Sequence, residues 1–193
     1  MTYSVIWMQG RPGVGKEVQS QLLVKIYNFF HTSTGDICRE TAKDQNNPKS
    51  KKIIEWNNKG ILFPNEFIIE MMREYITEKT RQGKFDPAKQ KLIIDGYNRT
   101  PEQVKMIEKY FKTEATILLE VPIYVALLRM SKRQKIDPRL ENATPRLRFN
   151  RQLIYEQNIE GVIDLLPKET LYKINSNRPV MDIHNDIVSI LKT

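Results

Sequence analysis

The stretch Gly10-Arg11-Pro12-Gly13-Val14-Gly15-Lys16 constrains the fold of this chain more than any other feature. Residues 2–8 before it read as a buried strand, and residues 18–29 after it carry apolar side chains at helical spacing. A glycine-rich turn between a strand and a helix brings the backbone close to an anion, aims several N–H groups at it and adds the positive end of the helix dipole. Lys16 then reaches the terminal phosphates of such a ligand. Without a ligand the same glycines would make only a tight turn. The complete phosphate-loop pattern has Ser or Thr directly after the lysine, to hold magnesium, and here that position is Glu17.

The rest of the chain continues the alternation. Residues 91–95, 115–120 and, more weakly, 171–174 are short runs rich in branched side chains, as strands are. Helical patterns lie at 66–79, 101–112, 122–133, 147–166 and 181–191, with Pro64, Pro101 and Pro122 where helices start. Strands alternating with helices predict an α/β fold with a parallel sheet of about five strands covered on both faces. Ligands in such sheets sit outside the carboxyl ends of the strands. Residues 36–80 and 131–145 fit the layered core less well and are expected to form mobile lobes.

The 193 residues suit one domain, with 40% apolar and 28% charged side chains in the ordinary globular range. One cysteine, Cys38, excludes an intrachain disulfide and a Cys-rich zinc site; it suits a reducing compartment and reads as a small buried hydrophobe. Residues 5–8 have no basic segment before them, so no signal or transit peptide is expected, and residues 121–128 are too short to span a bilayer. The net charge of +8 is concentrated. Arg129, Lys132, Arg133, Lys135, Arg139, Arg146, Arg148 and Arg151 face only Asp137 and Glu141 in the same segment, and arginine suits bidentate phosphate contacts. No nucleic-acid motif or aromatic platform accompanies them, which argues against a nucleic-acid partner. Residues 49–52 read as a solvated loop face.

From the loop onward the chain resembles the adenylate kinase family. Residues 10–19 are similar to that family's loop, in which lysine is followed by Gly-Thr-Gln; Gln19 matches, whereas Glu17 and Val18 replace glycine and threonine. Ser33-Thr34-Gly35-Asp36-Ile37-Cys38-Arg39 resembles the opening of its monophosphate-binding lobe, although Thr34 or Asp36 could equally cap a plain surface helix. Gly60-Ile61-Leu62-Phe63-Pro64-Asn65-Glu66 looks like the stretch closing that lobe. Asp95-Gly96-Tyr97-Asn98-Arg99-Thr100, with Gln103 beyond, resembles the family's Asp-Gly-Phe-Pro-Arg-Thr signature and its glutamine; the aspartate could instead cap the turn. Arg129 and Arg133, four apart on one helix face, then Arg139, Arg151 and the segment Lys173-Ile174-Asn175-Ser176-Asn177-Arg178-Pro179-Val180 complete the match, in order, to about Leu191.

The resemblance implies a single phosphate-loop NTPase-type kinase domain over residues 1–193. Its core would be 1–32, 64–130 and 146–193, its monophosphate-binding lobe 33–63 and its short lid 131–145. It implies a cytoplasmic monomer catalysing ATP + AMP = 2 ADP with Mg2+, without structural zinc, nucleic acid or membrane. ATP would meet Gly13, Val14, Gly15, Lys16, Glu17, Val18, Arg129, Arg133 and Arg178. AMP would meet Thr34, Gly35, Arg39, Ile61, Leu62, Phe63, Gly96, Tyr97, Asn98, Arg99, Gln103, Arg139 and Arg151. Lys16, Arg99, Arg133, Arg139 and Arg151 would carry catalysis, and Asp95 would orient magnesium through water. Gln103 favours adenine as the acceptor base, with a UMP/CMP kinase as the alternative. The departures Glu17, Val18, Asn98 (a proline in the family) and Glu141-Asn142 (a pair of aspartates there) keep open a second alternative, a nucleotide-binding relative with little or no activity.

Overall fold

The computed structural model describes residues 3–59 and 61–192. Thr2 of the expected first strand and Gly60 of the lobe-closing stretch lie outside the described residues. Five strands, β1 (Tyr3–Gln9), β2 (Phe30–Ser33), β3 (Leu92–Asp95), β4 (Phe111–Glu120) and β5 (Leu171–Asn175), make one parallel sheet in the order β2-β3-β1-β4-β5. Among the described residues, eight α-helices flank it: α1 (Lys16–Tyr27), α2 (Thr34–Lys43), α3 (Ser50–Lys59), α4 (Asn65–Arg81), α5 (Pro101–Ile107), α6 (Ile123–Ile136), α7 (Pro145–Leu165) and α8 (Val180–Leu191). No described helix is long and apolar enough to cross a membrane.

The central strand β1 explains why helices must cover both faces. Its side chains alternate between two apolar clusters, as a period of two requires. Val5 and Trp7 pack with Leu92, Ile94 and residues of α2, α3 and α4 such as Ile37, Ile53 and Met72. Ile6 and Met8 pack on the opposite side with Ile93 and Ile117, under Leu23 of α1 and Ile187 of α8. Each such side chain, fully buried, contributes about 1.5–3 kcal/mol. A continuous apolar run in β1 is therefore the signature of a two-sided sheet.

Four local expectations change. The helix expected over 101–112 ends at Ile107, and β4 begins at Phe111, because residues 111–113 pair with Tyr3, Ser4 and Val5 and Phe111 packs edge-on against Trp7 at 5.8 Å. The helix expected to reach Phe29 stops at Tyr27, where Asn28 takes a left-handed conformation (φ 56°), and the chain enters the unforeseen strand β2 against β3. The basic residues 49–52 are not a loop: Ser50 opens α3, and Lys49 is tied to Glu70 and Glu74 of α4 at 3.3 and 2.9 Å. The cap of α2 is Ser33, whose hydroxyl accepts from the Asp36 N–H at 2.9 Å, and not Thr34 or Asp36. Of the prolines, Pro101 lies in the first turn of α5, while Pro64 and Pro122 sit at the N-caps of α4 and α6.

The carboxyl ends of β1, β3 and β4 lie side by side, Met8 opposite Asp95 and Gln9 opposite Leu118. The glycine-rich loop therefore emerges at the centre of one sheet edge. The core that holds it there is checked by Ile94→Ala, at a fully buried position of β3. It is expected to cost about 2–5 kcal/mol, read as a lower urea midpoint at unchanged slope.

Candidate phosphate-binding site

The loop after β1 is forced into shape by its glycines. Gly10 (φ 132°) and Gly13 (φ 87°) occupy conformations that L side chains rarely adopt. A Cβ on Gly10 would lie 2.4 Å from the Leu119 carbonyl, and one on Gly13 would lie 2.5 Å from the Ala126 carbonyl. Close backbone approach to β4 and α6 thus demands glycine at both.

Inside the loop Lys16 Nζ donates to the carbonyls of Gly10 (2.8 Å) and Arg11 (3.3 Å) and lies 3.8 Å from Asp95 at the end of β3. Burial lowers the pKa of this ammonium; Asp95 opposes that, and Arg99 and Arg151 add to it. Burial likewise lowers the Arg99 guanidinium, and burial together with nearby Arg99 brings Arg151 down to about 10. Three cations held this close, with Asp95 as a shared counter-charge, make a strongly electropositive pocket.

The arginines of α6 and beyond face the loop. Arg129 donates to the Val14 carbonyl (2.9 Å) and the Ser176 carbonyl (3.1 Å), tying the loop to the segment after β5. Arg133 and Arg139 both bind the Glu17 carboxylate, at 2.6 and 3.1 Å, and Asp137. On the other side Arg39 of α2 pairs with Asp36 and, at 2.8 Å, with Glu141, while Arg151 of α7 donates to the Asn142 amide oxygen at 2.6 Å. The four residues flagged as departures in the loop and near residue 140 are explained in part: Glu17, Glu141 and Asn142 are the partners of these arginines, whereas Val18 is half exposed and makes no polar contact that accounts for it.

These groups line one cavity of about 880 Å³. Gly13, Gly15, Lys16, Glu17, Val18, Arg129, Arg133, Arg139 and Arg151 meet there with Asp95, Gly96, Tyr97, Asn98 and Arg99, and with Gly35, Arg39, Ile61, Leu62 and Phe63. Val14, Thr34, Gln103 and Arg178 stand outside its lining. Thr34 instead donates to the Gly96 carbonyl at 2.8 Å, and Arg178 turns to the Asn175 carbonyl and to Asp186 of α8. Gln103 is buried with its amide oxygen committed to the Arg99 backbone N–H at 2.8 Å, so it shapes the turn that presents Arg99. Asn98 holds a left-handed conformation (φ 49°) that asparagine tolerates and proline could not adopt, its carbonyl bound by Gln9 at 2.6 Å. The Cys38 thiol is buried, and burial pushes its pKa up to about 12, so it stays protonated.

The adenylate kinase family model matches residues 8–171. The chain belongs to the adenylate kinase family. It is 29% identical over 189 residues to the adenylate kinase of Trichodesmium erythraeum, covering 92% of each chain. It is 30% identical over 169 residues to that of Clostridium novyi, covering 85% of this chain and 71% of the relative. The similarity to the Thermotoga maritima adenylate kinase is 35% over 130 residues, 65% of this chain but only 56% of that protein's length.

Two residues of this site carry no sequence signal that would have singled them out. Arg11 and Gln152 contact one another at 3.3 Å, and Gln152 also holds the Pro12 carbonyl. They are 141 positions apart and meet only because α7 packs beside the loop.

The clustered cations predict anion binding. Tripolyphosphate is expected to raise the melting temperature, by the equivalent of about 2.7 kcal/mol at a hundred times its Kd, and Lys16→Ala is expected to remove most of that rise in a thermal melt. No rise in the wild type would show that Glu17 and Glu141 already satisfy the arginines.

Proposed function

We propose that the chain is a nucleoside monophosphate kinase catalysing ATP + AMP = 2 ADP. The observation that carries this reading is the convergence on one cavity of the loop lysine with Arg39, Arg99, Arg133, Arg139 and Arg151, which come from both sides of the sheet edge. Phosphoryl transfer asks for positioning and charge neutralisation and little covalent chemistry, so this set is sufficient. Lys16 and the loop hold the donor's phosphates. Arg39 and Arg99 hold the acceptor's phosphate, and Arg133, Arg139 and Arg151 bracket the group in transit. The attacking phosphate oxygen of AMP already carries negative charge. It bonds to the γ-phosphorus, the bond from that phosphorus to the β–γ bridging oxygen breaks, and ADP leaves without any need for a general base.

Residues 33–63 are read as the monophosphate-binding lobe and 131–145 as the lid; the Arg39–Glu141 pair joins the two segments at 2.8 Å. Closure over the cavity excludes water, which would otherwise take the phosphoryl group. Magnesium fits this site by the chemistry of its donors. The ion keeps several waters and takes one or two carboxylates plus substrate phosphates, and Asp95 supplies a carboxylate in the cavity wall 3.8 Å from Lys16. When bound, the ion neutralises charge on the donor's phosphates. The described residues contain no group of three or more His, Cys, Asp or Glu that could hold a metal without phosphate oxygens.

One observation favours a second reading, nucleotide binding with slow turnover: Glu17 holds Arg133 and Arg139, the arginines that transfer would require. A coupled assay with ATP, magnesium and AMP, CMP, UMP or GMP separates the readings. ADP formation is expected, fastest with AMP, and Lys16→Ala is expected to lower kcat by at least about 100-fold; ATP binding without phosphorylation of any acceptor would replace the kinase by the second reading. Arg99→Ala is expected to raise the KM for AMP more than that for ATP. Glu17→Gln is expected to tighten ATP binding by up to about fivefold in calorimetry, the weight of a partly exposed ion pair. Glu17→Gly with Val18→Thr is expected to raise turnover, and unchanged or lower turnover would mark the native loop as adapted to its arginines.

A further inference from the structure

Gln152 lies in the middle of α7 and is completely buried. A buried amide is costly unless both its ends are partnered, and here both ends are used, mainly on the phosphate loop. Nε2 donates to the Pro12 carbonyl at 2.8 Å and touches Met130 Sδ of α6 at 3.2 Å, while Oε1 accepts from Arg11 at 3.3 Å. Arg11 is held a second time, by Glu156 one turn further along α7, and its guanidinium lies over the Tyr155 ring at 5.1 Å. Spacings of three and four put residues 152, 155 and 156 on one helix face. The adjacent residue, Arg151, points to Asn142 and into the cavity.

We propose that Gln152 and Arg11 are positioning residues that strap the phosphate loop to α7, so that the donor's phosphates and Arg151 keep one separation. The inference rests on the kinase reading above and names a residue pair outside the phosphate-contacting set. An apolar side chain of similar size would pack α7 against α6 without satisfying the Pro12 carbonyl or Arg11. The polar choice matters for the loop's position, and the packing of the helix pair does not require it. The strap acts on the turn containing Pro12 and Gly13, upstream of Lys16, and its other end moves with Arg151. Loosening it should disturb the donor side and the transfer step together and leave acceptor binding alone.

The test uses the full chain with Gln152→Leu, Arg11→Ala and the double variant. ATP and AMP binding are measured by calorimetry, stability by urea unfolding, and kcat and KM by the coupled assay. Gln152→Leu is expected to weaken ATP binding about tenfold, the weight of one to two hydrogen bonds. It should also lower kcat at saturating substrates and leave the AMP Kd within about twofold. Arg11→Ala is expected to do the same to a smaller extent. The double variant should be no worse than Gln152→Leu, since the two act through one strap. Equal loss of ATP and AMP binding alongside a lower urea midpoint would reduce the pair to a structural role and overturn the proposal. So would unchanged ATP binding and kcat in both single variants, which would leave the kinase reading intact. If the wild type binds ATP and phosphorylates no acceptor, the kinase reading fails while the ATP Kd still decides whether the strap holds the loop.

Discussion

The site depends on one partly buried ammonium. Lys16 Nζ is held by the Gly10 and Arg11 carbonyls within its own loop and by Asp95 across the sheet edge, in surroundings that disfavour its charge. A lone buried cation is unstable in such a place, and the surrounding arrangement is a set of answers to that problem. The two carbonyls come from a loop that passes so close to β4 and α6 that positions 10 and 13 must be glycine. Asp95 must come from the strand beside β1, which the order β3-β1-β4 supplies. Adding Arg99 and Arg151 raises the positive potential further, and only an anionic ligand relieves it fully.

The chain itself places carboxylates and an amide opposite the arginines of the cavity. Glu17 bridges Arg133 and Arg139, Glu141 meets Arg39, and the Asn142 amide meets Arg151. The ion pairs among these contacts are partly exposed and individually weak. Two of the residues that set this chain apart from the family's usual pattern, Glu17 and Glu141, are thereby connected to one another: each carboxylate stands opposite arginines that line the cavity.

Much of this was legible from residues 1–193 without a structure, but unevenly. The strand in residues 2–8, the loop and α1 were legible because an apolar run, a glycine spacing and a helical period each have a local physical cause. Strand β2 was not, since its four residues include half-buried Phe30 and His31 and show no alternation; its pairing with Leu92 and Ile93 creates it. The start of β4 was hidden in the same way, Lys112 and Thr113 being drawn into the sheet by β1. Gln103 was legible as important, but its oxygen serves the Arg99 backbone N–H, a contact across a turn that spacing does not reveal.

The sequence by itself determined the alternating α/β order, the glycine-rich turn between strand and helix and the supply of arginines around it, because each follows from local backbone freedom, periodicity or charge. Tertiary structure alone decided which arginine meets which carboxylate, that Gln103 and Arg178 stand outside the cavity lining, and that Arg11 and Gln152 strap the loop to α7. Those contacts join residues separated by up to 145 positions. Their geometry exists only once the two apolar clusters have closed around β1 and brought α6 and α7 beside the loop.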